Sequence, residues 1–438
     1  MASKIQDRTL GYRICKRIVD FYTHRSYRKI QIEGTENIPS DGCVIWSSNH
    51  TNALMDPLVS LASTRRPKVY LARADIFRSS PLIVKILTFL KIMPIYRIRD
   101  GFESVKHNDE IIDHTVDVLT DNTPVCLYPE ATHRARHSLL KLSKGIFHIA
   151  FAVNGKTAGT KPVLILPIGI DYGDYFRYRS TALIRFGKPI DVSGFLQANS
   201  ELTQPQQMQK LRDILAEKMS ELIAFVPDDE DYDAVWEYAK LKSGNREYYK
   251  RTLSECERIE GRKLKGLLGL QAVNRHAIAE ALAIRRDDPE KARKLFADID
   301  AQRVWRIQHG VSVRSIARPA GRLRTIARTF VSLLGLPYFL FSGLATLIVW
   351  LPTLFILRRV DDDAFYNTAR MGTRFALSWI YVLGLGITFL CTMPLWTAVI
   401  FILLLLPAYS YIYDYREYAR RTISDIRWLI SGRKAVSC

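Results

Sequence analysis

Three observations predict an α/β fold: a central mixed sheet flanked by helices, followed by a helical extension and C-terminal membrane helices. Short apolar runs alternate with helical periodicity between residues 30 and 192. A polar, mostly helical stretch covers 235–306. Beyond residue 328 lie two long stretches without a charge, 329–357 and 375–413.

In chain order, 1–28 is helical and basic. Tyr12, Cys15, Ile18, Val19 and Tyr22 recur at spacings of three and four, with Arg13, Lys16, Arg17 and Arg25 between them. Such a helix either lies on an anionic membrane surface or packs its apolar face on the domain. Strands are expected at Cys43–Ser47, Lys68–Ala72, Met93–Arg97, Val125–Tyr128, Val163–Ile168 and Thr181–Phe186. Helices are expected at Pro81–Leu90, His107–Leu119, Leu139–Val153 and Gln204–Val226. The last carries Met208, Leu211, Leu215, Met219 and Leu222 on one face. The acidic run Asp228–Asp233 reads as a boundary or solvated loop.

The first uncharged stretch is long enough for one tilted span, and Pro337 and Pro352 interrupt it, which also suits a re-entrant hairpin. The second exceeds one span and has Pro394 near its middle, which fits two short spans or a bent hairpin. Lys and Arg outnumber Asp and Glu on all three flanks, so these flanks are expected on the cytoplasmic side. The segments are therefore 1–28, an amphipathic helix; 29–226, the α/β domain; 227–328, a helical extension with an arginine-rich end; 329–413, the membrane segments; and 414–438, a basic tail.

The chain has 438 residues, 48% hydrophobic and 24% charged, which excludes a wholly disordered protein. Lys and Arg number 63 against 44 Asp and Glu, so the net charge of +19 predicts an anionic partner. Seven arginines and no acid lie between residues 301 and 328 (303, 306, 314, 318, 322, 324 and 328). Directly beside an apolar stretch, they favour anionic headgroups over nucleic acid, for which the usual aromatic–basic modules are missing. Six scattered cysteines without a CxxC pair argue against a disulfide framework or zinc site. The first thirty residues lack an apolar h-region, so no secretory signal is expected.

The candidate chemistry begins after the first strand, in Ser47-Ser48-Asn49-His50-Thr51-Asn52-Ala53-Leu54-Met55-Asp56-Pro57. In a plain helix this separation would turn His50 and Asp56 apart, so a turn must bring them together if they act as a pair. A histidine bonded to a carboxylate is fixed in one tautomer and made more basic, and can take a proton from a hydroxyl attacking an acyl carbonyl. Three further strand ends follow. Pro94-Ile95-Tyr96-Arg97-Ile98-Arg99-Asp100 offers arginines for a phosphate, or solvated strand-end charges. Leu127-Tyr128-Pro129-Glu130-Ala131-Thr132, followed by Arg134 and Arg136, offers Glu130, which on its own also reads as a helix N-terminal carboxylate. Leu164-Ile165-Leu166-Pro167-Ile168-Gly169-Ile170 is the last. His133, His137 and His148 read as surface or core histidines, and no metal site is expected.

These four motifs in this order resemble the glycerophospholipid acyltransferase family over about Ile30 to Val192. The resemblance implies an acyltransferase domain at 29–226, with His50 as general base and Asp56 as its orienting partner. It implies substrate binding through Asn49, Arg97, Arg99, Glu130, Thr132 and Arg134. Arg97 would hold the acceptor's phosphate, Glu130 would help form the acceptor site, and the strand ending at Pro167 would line the acyl-donor side. The implied reaction moves a fatty acyl group from acyl-coenzyme A or acyl carrier protein to 1-acyl-sn-glycerol 3-phosphate, without metal or cofactor. The alternatives are glycerol 3-phosphate, dihydroxyacetone phosphate or another lysophospholipid as acceptor, or a non-catalytic lipid-binding protein. The implied partners are an anionic phospholipid membrane, the lyso-lipid or glycerol 3-phosphate, and acyl carrier protein, with no nucleic acid. The implied location is a bacterial inner membrane or the endoplasmic reticulum, with the catalytic domain cytoplasmic.

The chain departs from the family pattern in places. Five residues separate His50 from Asp56 where four is commonest. This longer form resembles the branch with fungal glycerol-3-phosphate and dihydroxyacetone-phosphate acyltransferases. Ala131 stands where Gly is usual, His133 where Arg is usual, and Lys91 where a glycine often precedes the second motif.

Overall fold

The computed structural model describes residues 4–7, 9–78, 80–95, 108–158 and 160–432. The chain divides into two compact units: Met1–Phe176 with Ser180–Ile223, and Arg177–Arg179 with Ala224–Cys438.

The first unit opens with helix α1 (Leu10–Ser26), capped by Thr9, whose hydroxyl oxygen accepts from the Tyr12 N–H at 3.2 Å. The helix ends earlier than the expected Arg28. At Tyr27 strand β1 (Tyr27–Glu33) begins and pairs with a partner strand far along the chain, and that pairing overrides the local helical periodicity. α1 is apolar on two sides. Tyr12, Thr23 and Ser26 are buried against the unit. Leu10, Ile14, Ile18 and Phe21 form a second stripe that faces outward, so Ile18 does not share one face with Tyr12 as the spacing suggested.

The remaining elements follow the expected alternation: β2 (Cys43–Ser48), α2 (Met55–Ala62), β3 (Val69–Arg73), α3 (Pro81–Phe89), β4 (Ile92–Ile95), α4 (Asn108–Thr120), β5 (Val125–Leu127), α5 (Gly145–Thr157), β6 (Val163–Tyr172), β7 (Ser180–Phe186), β8 (Ile190–Asp191), α6 (Val192–Ala198) and α7 (Gln204–Ser220). The expected helix from Leu139 starts only at Gly145. Upstream, the N–H of Leu140 bonds the Glu130 carboxylate and that of Ser143 bonds the Pro129 carbonyl, so this backbone is already committed. The expected helix to Val226 stops at Ser220.

The sheet order is β1-β7-β6-β2-β5-β3-β4, with β8 also on β6. Neighbours run parallel except β6–β7 and β6–β8, so the sheet is mixed, as the sequence predicts. Cys43, Ile45, Val125, Val163 and Ile165 pack on Ile146, Phe147 and Ala150 of α5 and on Leu211 and Leu215 of α7. Each large buried aliphatic side chain contributes about 1.5–3 kcal/mol. Gly169 in β6 lets the chain after α7 approach closely, because a Cβ there would lie 2.5 Å from Leu222 Cβ.

Lys91 precedes β4 with φ of 62°, a left-handed conformation that suits glycine. Its buried ammonium donates to the carbonyls of Ile5 and Asp7 at 2.6 and 2.7 Å and lies 4.7 Å from the centre of the Tyr12 ring. The side chain thus ties the N-terminal segment to the edge of the sheet.

The second unit is helical. Among its elements α8 (Tyr232–Gly244), α9 (Arg246–Glu260), α10 (Leu267–Asp287), α11 (Pro289–Gln308) and α12 (Val313–Ala317) include a core with Val235, Tyr238, Val273, Ala277, Phe296 and Ile299. The acidic run is partly neutralised: Asp229 and Asp231 pair with Arg285 at 2.8 and 3.0 Å. Three of the seven clustered arginines are engaged within the unit. Arg303 pairs with Asp300 and Asp233, Arg306 with buried Glu237, and Arg328 with Asp425. They therefore serve protein contacts as well as the lipid contacts expected of the cluster.

The first uncharged stretch breaks at Thr346 into α13 (Arg322–Ala345) and α14 (Leu347–Leu357). The second turns at Met393–Pro394 between α15 (Tyr366–Thr392) and α16 (Leu395–Ser431), where Pro394 has no N–H with which to continue the helix. Among the described residues three helical stretches are long and apolar enough to cross a membrane: Arg322–Ala345, Asp363–Thr392 and Leu395–Ser431.

Candidate active site

The site lies where the parallel strands β2 and β5 end, the edge at which open α/β sheets bind ligands. After β2 the chain makes a turn in which Ala53 takes φ of 41° and the Met55 N–H bonds the Asn52 carbonyl at 2.9 Å. This turn supplies the reversal that the His50–Asp56 separation requires, and puts Asp56 in the first turn of α2. His50 Nδ1 lies 2.8 Å from Asp56 Oδ2.

Asp56 is fully buried and its carboxylate is completely engaged. Oδ2 also accepts from the N–H groups of Thr51 and Asn52 at 2.7 and 2.8 Å. Oδ1 accepts from the Tyr172 hydroxyl at 2.7 Å. A carboxylate accepts only, so Nδ1 carries the proton and Nε2 presents a lone pair. The His50 side chain is 19% exposed, so its free edge reaches the surface. Tyr172 is held by its ring, stacked on Tyr27 with centroids 5.7 Å apart. Burial, then the Asp56 charge, pushes its hydroxyl well above the usual phenol range, so it remains a donor.

Asn49 is buried and clamps the site turn to β6. Its Nδ2 donates to the Ile170 carbonyl at 3.0 Å, and its Oδ1 accepts from the Ile170 N–H at 2.7 Å. Glu130 is not at a helix N-terminus. It follows β5 in a loop, where Oε1 accepts from the His50 N–H and Oε2 from the Leu140 N–H, each at 2.8 Å. Burial is the largest influence on its carboxyl and pushes it up to about 7 against the pull of those two donors. The Arg134 N–H returns a bond to the His50 carbonyl at 3.1 Å, and its guanidinium donates to Ser138 Oγ at 2.9 Å. Thr132 is exposed. Arg97 and Arg99 lie outside the described residues.

The structure thus gathers His50, Asp56, Glu130 and Arg134 into one hydrogen-bonded group, with the adjacent Asn49 holding the turn to β6. It adds three residues that sequence reading did not assign a role there. Tyr172 completes the Asp56 carboxylate. The Tyr128 ring lies against His50 with centroids 4.5 Å apart, and the His133 ring meets it edge-on at 5.4 Å. Tyr128 and His133 sit within the third motif, which is the signal that could have found them. Among the described residues no group of three or more His, Cys, Asp or Glu side chains could hold a metal ion.

A buried carboxylate orienting a histidine at a strand end is the chemistry of a general-base enzyme. Residues 29–171 match the family Acyltransferase. That segment is an acyltransferase-family domain, in line with the resemblance drawn from its four motifs. Among solved structures, the 1-acyl-sn-glycerophosphate (LPA) acyltransferase PlsC from Thermotoga maritima is similar at 16% identity, over 49% of this chain and 83% of that chain, with a TM-score of 0.34. No curated protein matches the chain.

Proposed function

We propose that this protein is a membrane-bound O-acyltransferase that moves a fatty acyl group from acyl-coenzyme A or acyl carrier protein to 1-acyl-sn-glycerol 3-phosphate, forming phosphatidic acid. The observation that carries the reading is the 2.8 Å His50–Asp56 contact with every other acceptor site of Asp56 occupied. His50 Nε2 takes the proton of the acceptor hydroxyl as its oxygen attacks the thioester carbonyl carbon. The carbon–oxygen bond forms, the carbon–sulfur bond breaks, and the proton passes from His50 to the departing thiolate. The enzyme needs no nucleophile of its own and the reaction is proposed to proceed without metal or cofactor. Arg97 and Arg99 are proposed to dock the acceptor's phosphate. The three apolar helical stretches, with basic flanks on the cytoplasmic side, hold the enzyme where its lyso-lipid substrate and product reside.

The test is acyl transfer by detergent-solubilised protein from palmitoyl-coenzyme A, with labelled 1-acyl-glycerol 3-phosphate and glycerol 3-phosphate compared as acceptors. Preference for the lyso-lipid is expected, and His50→Ala is expected to lose ~10²–10⁴ in rate while remaining folded. Preference for glycerol 3-phosphate would move the protein to the first acylation and give the long His50–Asp56 spacing a functional meaning. A His50→Ala variant that keeps most of its activity would overturn the mechanism.

A further inference from the structure

The first unit carries an apolar surface that none of its described residues covers. On α1 it is the outward stripe of Leu10, Ile14, Ile18 and Phe21, with Leu10 64% exposed. On α3 it is the helix as a whole. Every residue of α3 except Lys85 and Thr88 is apolar, and not one is buried. Leu82, Ile83, Ile86 and Phe89 are exposed, Leu82 by 66%. A helix apolar on all sides is ordinarily found inside a protein or a membrane. The two helices are direct neighbours: the Tyr12 and Phe89 rings meet edge-on at 6.5 Å and a Cβ on Gly11 would lie 3.6 Å from Phe89.

The net charge of these two helices is positive. Arg13 and Arg17 are exposed beside the α1 stripe, Arg25 lies 5.4 Å from the centre of the Phe21 ring, and Lys85 is exposed on α3. The single acid of α1, Asp20, is neutralised by Lys16 at 2.6 Å, and α3 has none. An open apolar stripe edged by cations is the arrangement of a helix lying in the plane of an anionic interface, its apolar side among acyl chains and its cations at the headgroups.

We propose that α1 and α3 together form an in-plane docking face by which the catalytic unit sits on a leaflet containing anionic phospholipid, separately from the apolar spans of the second unit. The occupant is lipid, because the face is apolar and the two helices that form it carry a net positive charge. Nothing in the proposal depends on acyl transfer, so it stands or falls apart from the reaction.

The experiment uses the full-length chain in vesicles of phosphatidylcholine, with and without phosphatidylglycerol. Cys15, Cys256, Cys391 and Cys438 are replaced by alanine, and a nitroxide is placed at Ile18→Cys, at Leu82→Cys or, as a control on the exposed side of α7, at Asp213→Cys. All three positions are exposed, so the label leaves the core intact. At Ile18→Cys and Leu82→Cys, dissolved oxygen is expected to relax the label several-fold more than a water-soluble nickel chelate, and more strongly when phosphatidylglycerol is present. At Asp213→Cys the chelate is expected to win. Chelate access at Ile18→Cys and Leu82→Cys equal to the control would overturn the proposal. So would exclusion of both relaxants, which would mean that protein covers the face, or indifference to phosphatidylglycerol.

Discussion

The Tyr172 hydroxyl donates a 2.7 Å hydrogen bond to Asp56 Oδ1, the oxygen that faces away from His50. The carboxylate is therefore fixed at both ends, one by the histidine and its turn, the other by the last residue of β6. Tyr172 touches no reacting atom, so it acts as a positioning residue.

Removing only that hydroxyl, by Tyr172→Phe, keeps the stacked ring and frees Asp56 to rotate. A hydrogen bond to a charged group is worth about 1.5–3 kcal/mol, so kcat is expected to fall roughly 10- to 100-fold. The KM for the acceptor is expected to stay the same, since the substrate is not touched. A shift in KM with kcat preserved would show that Tyr172 serves binding instead.

Asp56→Asn tests the other end of the same contact. The amide oxygen can still accept from Thr51, Asn52 and His50 Nδ1, so the turn is retained, but the negative charge that makes His50 more basic is lost. Turnover measured under saturating substrate is expected to drop by about 10³–10⁴ with little change in melting temperature. Near-normal turnover would mean that His50 does not rely on this carboxylate.

The raised Glu130 carboxyl makes stability depend on pH. A carboxyl that binds its proton more tightly in the fold contributes in full below the unfolded value of 4.5, and that contribution is lost as pH rises to about 7. The interval corresponds to at most about 3 kcal/mol. Thermal unfolding in detergent should therefore show the wild type losing Tm between these limits relative to Glu130→Gln, which does not titrate. Parallel curves for the two proteins would refute the assignment.

Two departures from the family pattern fall on left-handed backbone, Ala131 with φ of 58° and Lys91 with φ of 62°. Glycine relieves such strain by roughly 1 kcal/mol. Ala131→Gly is expected to raise Tm by a few degrees. Lys91→Gly relieves the same strain but forfeits the bonds to Ile5 and Asp7, and is expected to lower Tm. Equal responses from the two substitutions would deny Lys91 its tethering role.

The sheet and the pairing of His50 with Asp56 are legible in the sequence, because apolar runs mark strands and the first motif is local. The sequence could also state that a turn must close the distance between His50 and Asp56, and Ala53 makes that turn. It did not carry the partners of Glu130. Those are backbone N–H groups, which no side-chain pattern announces, and they displaced the start of α5. Tyr172 was out of reach for a different reason: it lies 116 positions from Asp56, and only strand pairing brings it back. The two stripes of α1 are not separable in the sequence, because spacings of three and four fit either side of a helix that is apolar on both.

The long reach from Asp56 to Tyr172 also sets an order of assembly on the ribosome. His50 and Asp56 emerge almost together, but Ile170 and Tyr172, which seat Asn49 and Asp56, follow 121 and 116 residues behind their partners. At translation rates of ~5–20 residues per second, that delay is roughly 6–24 s. Through that interval the nascent chain carries both halves of the dyad without the strand that aligns them. Alignment becomes possible only once β6 has been made, and α13, which begins at Arg322, is synthesised later still. Translation therefore supplies every residue that seats the dyad before it supplies the first of the described helices long and apolar enough to cross a bilayer.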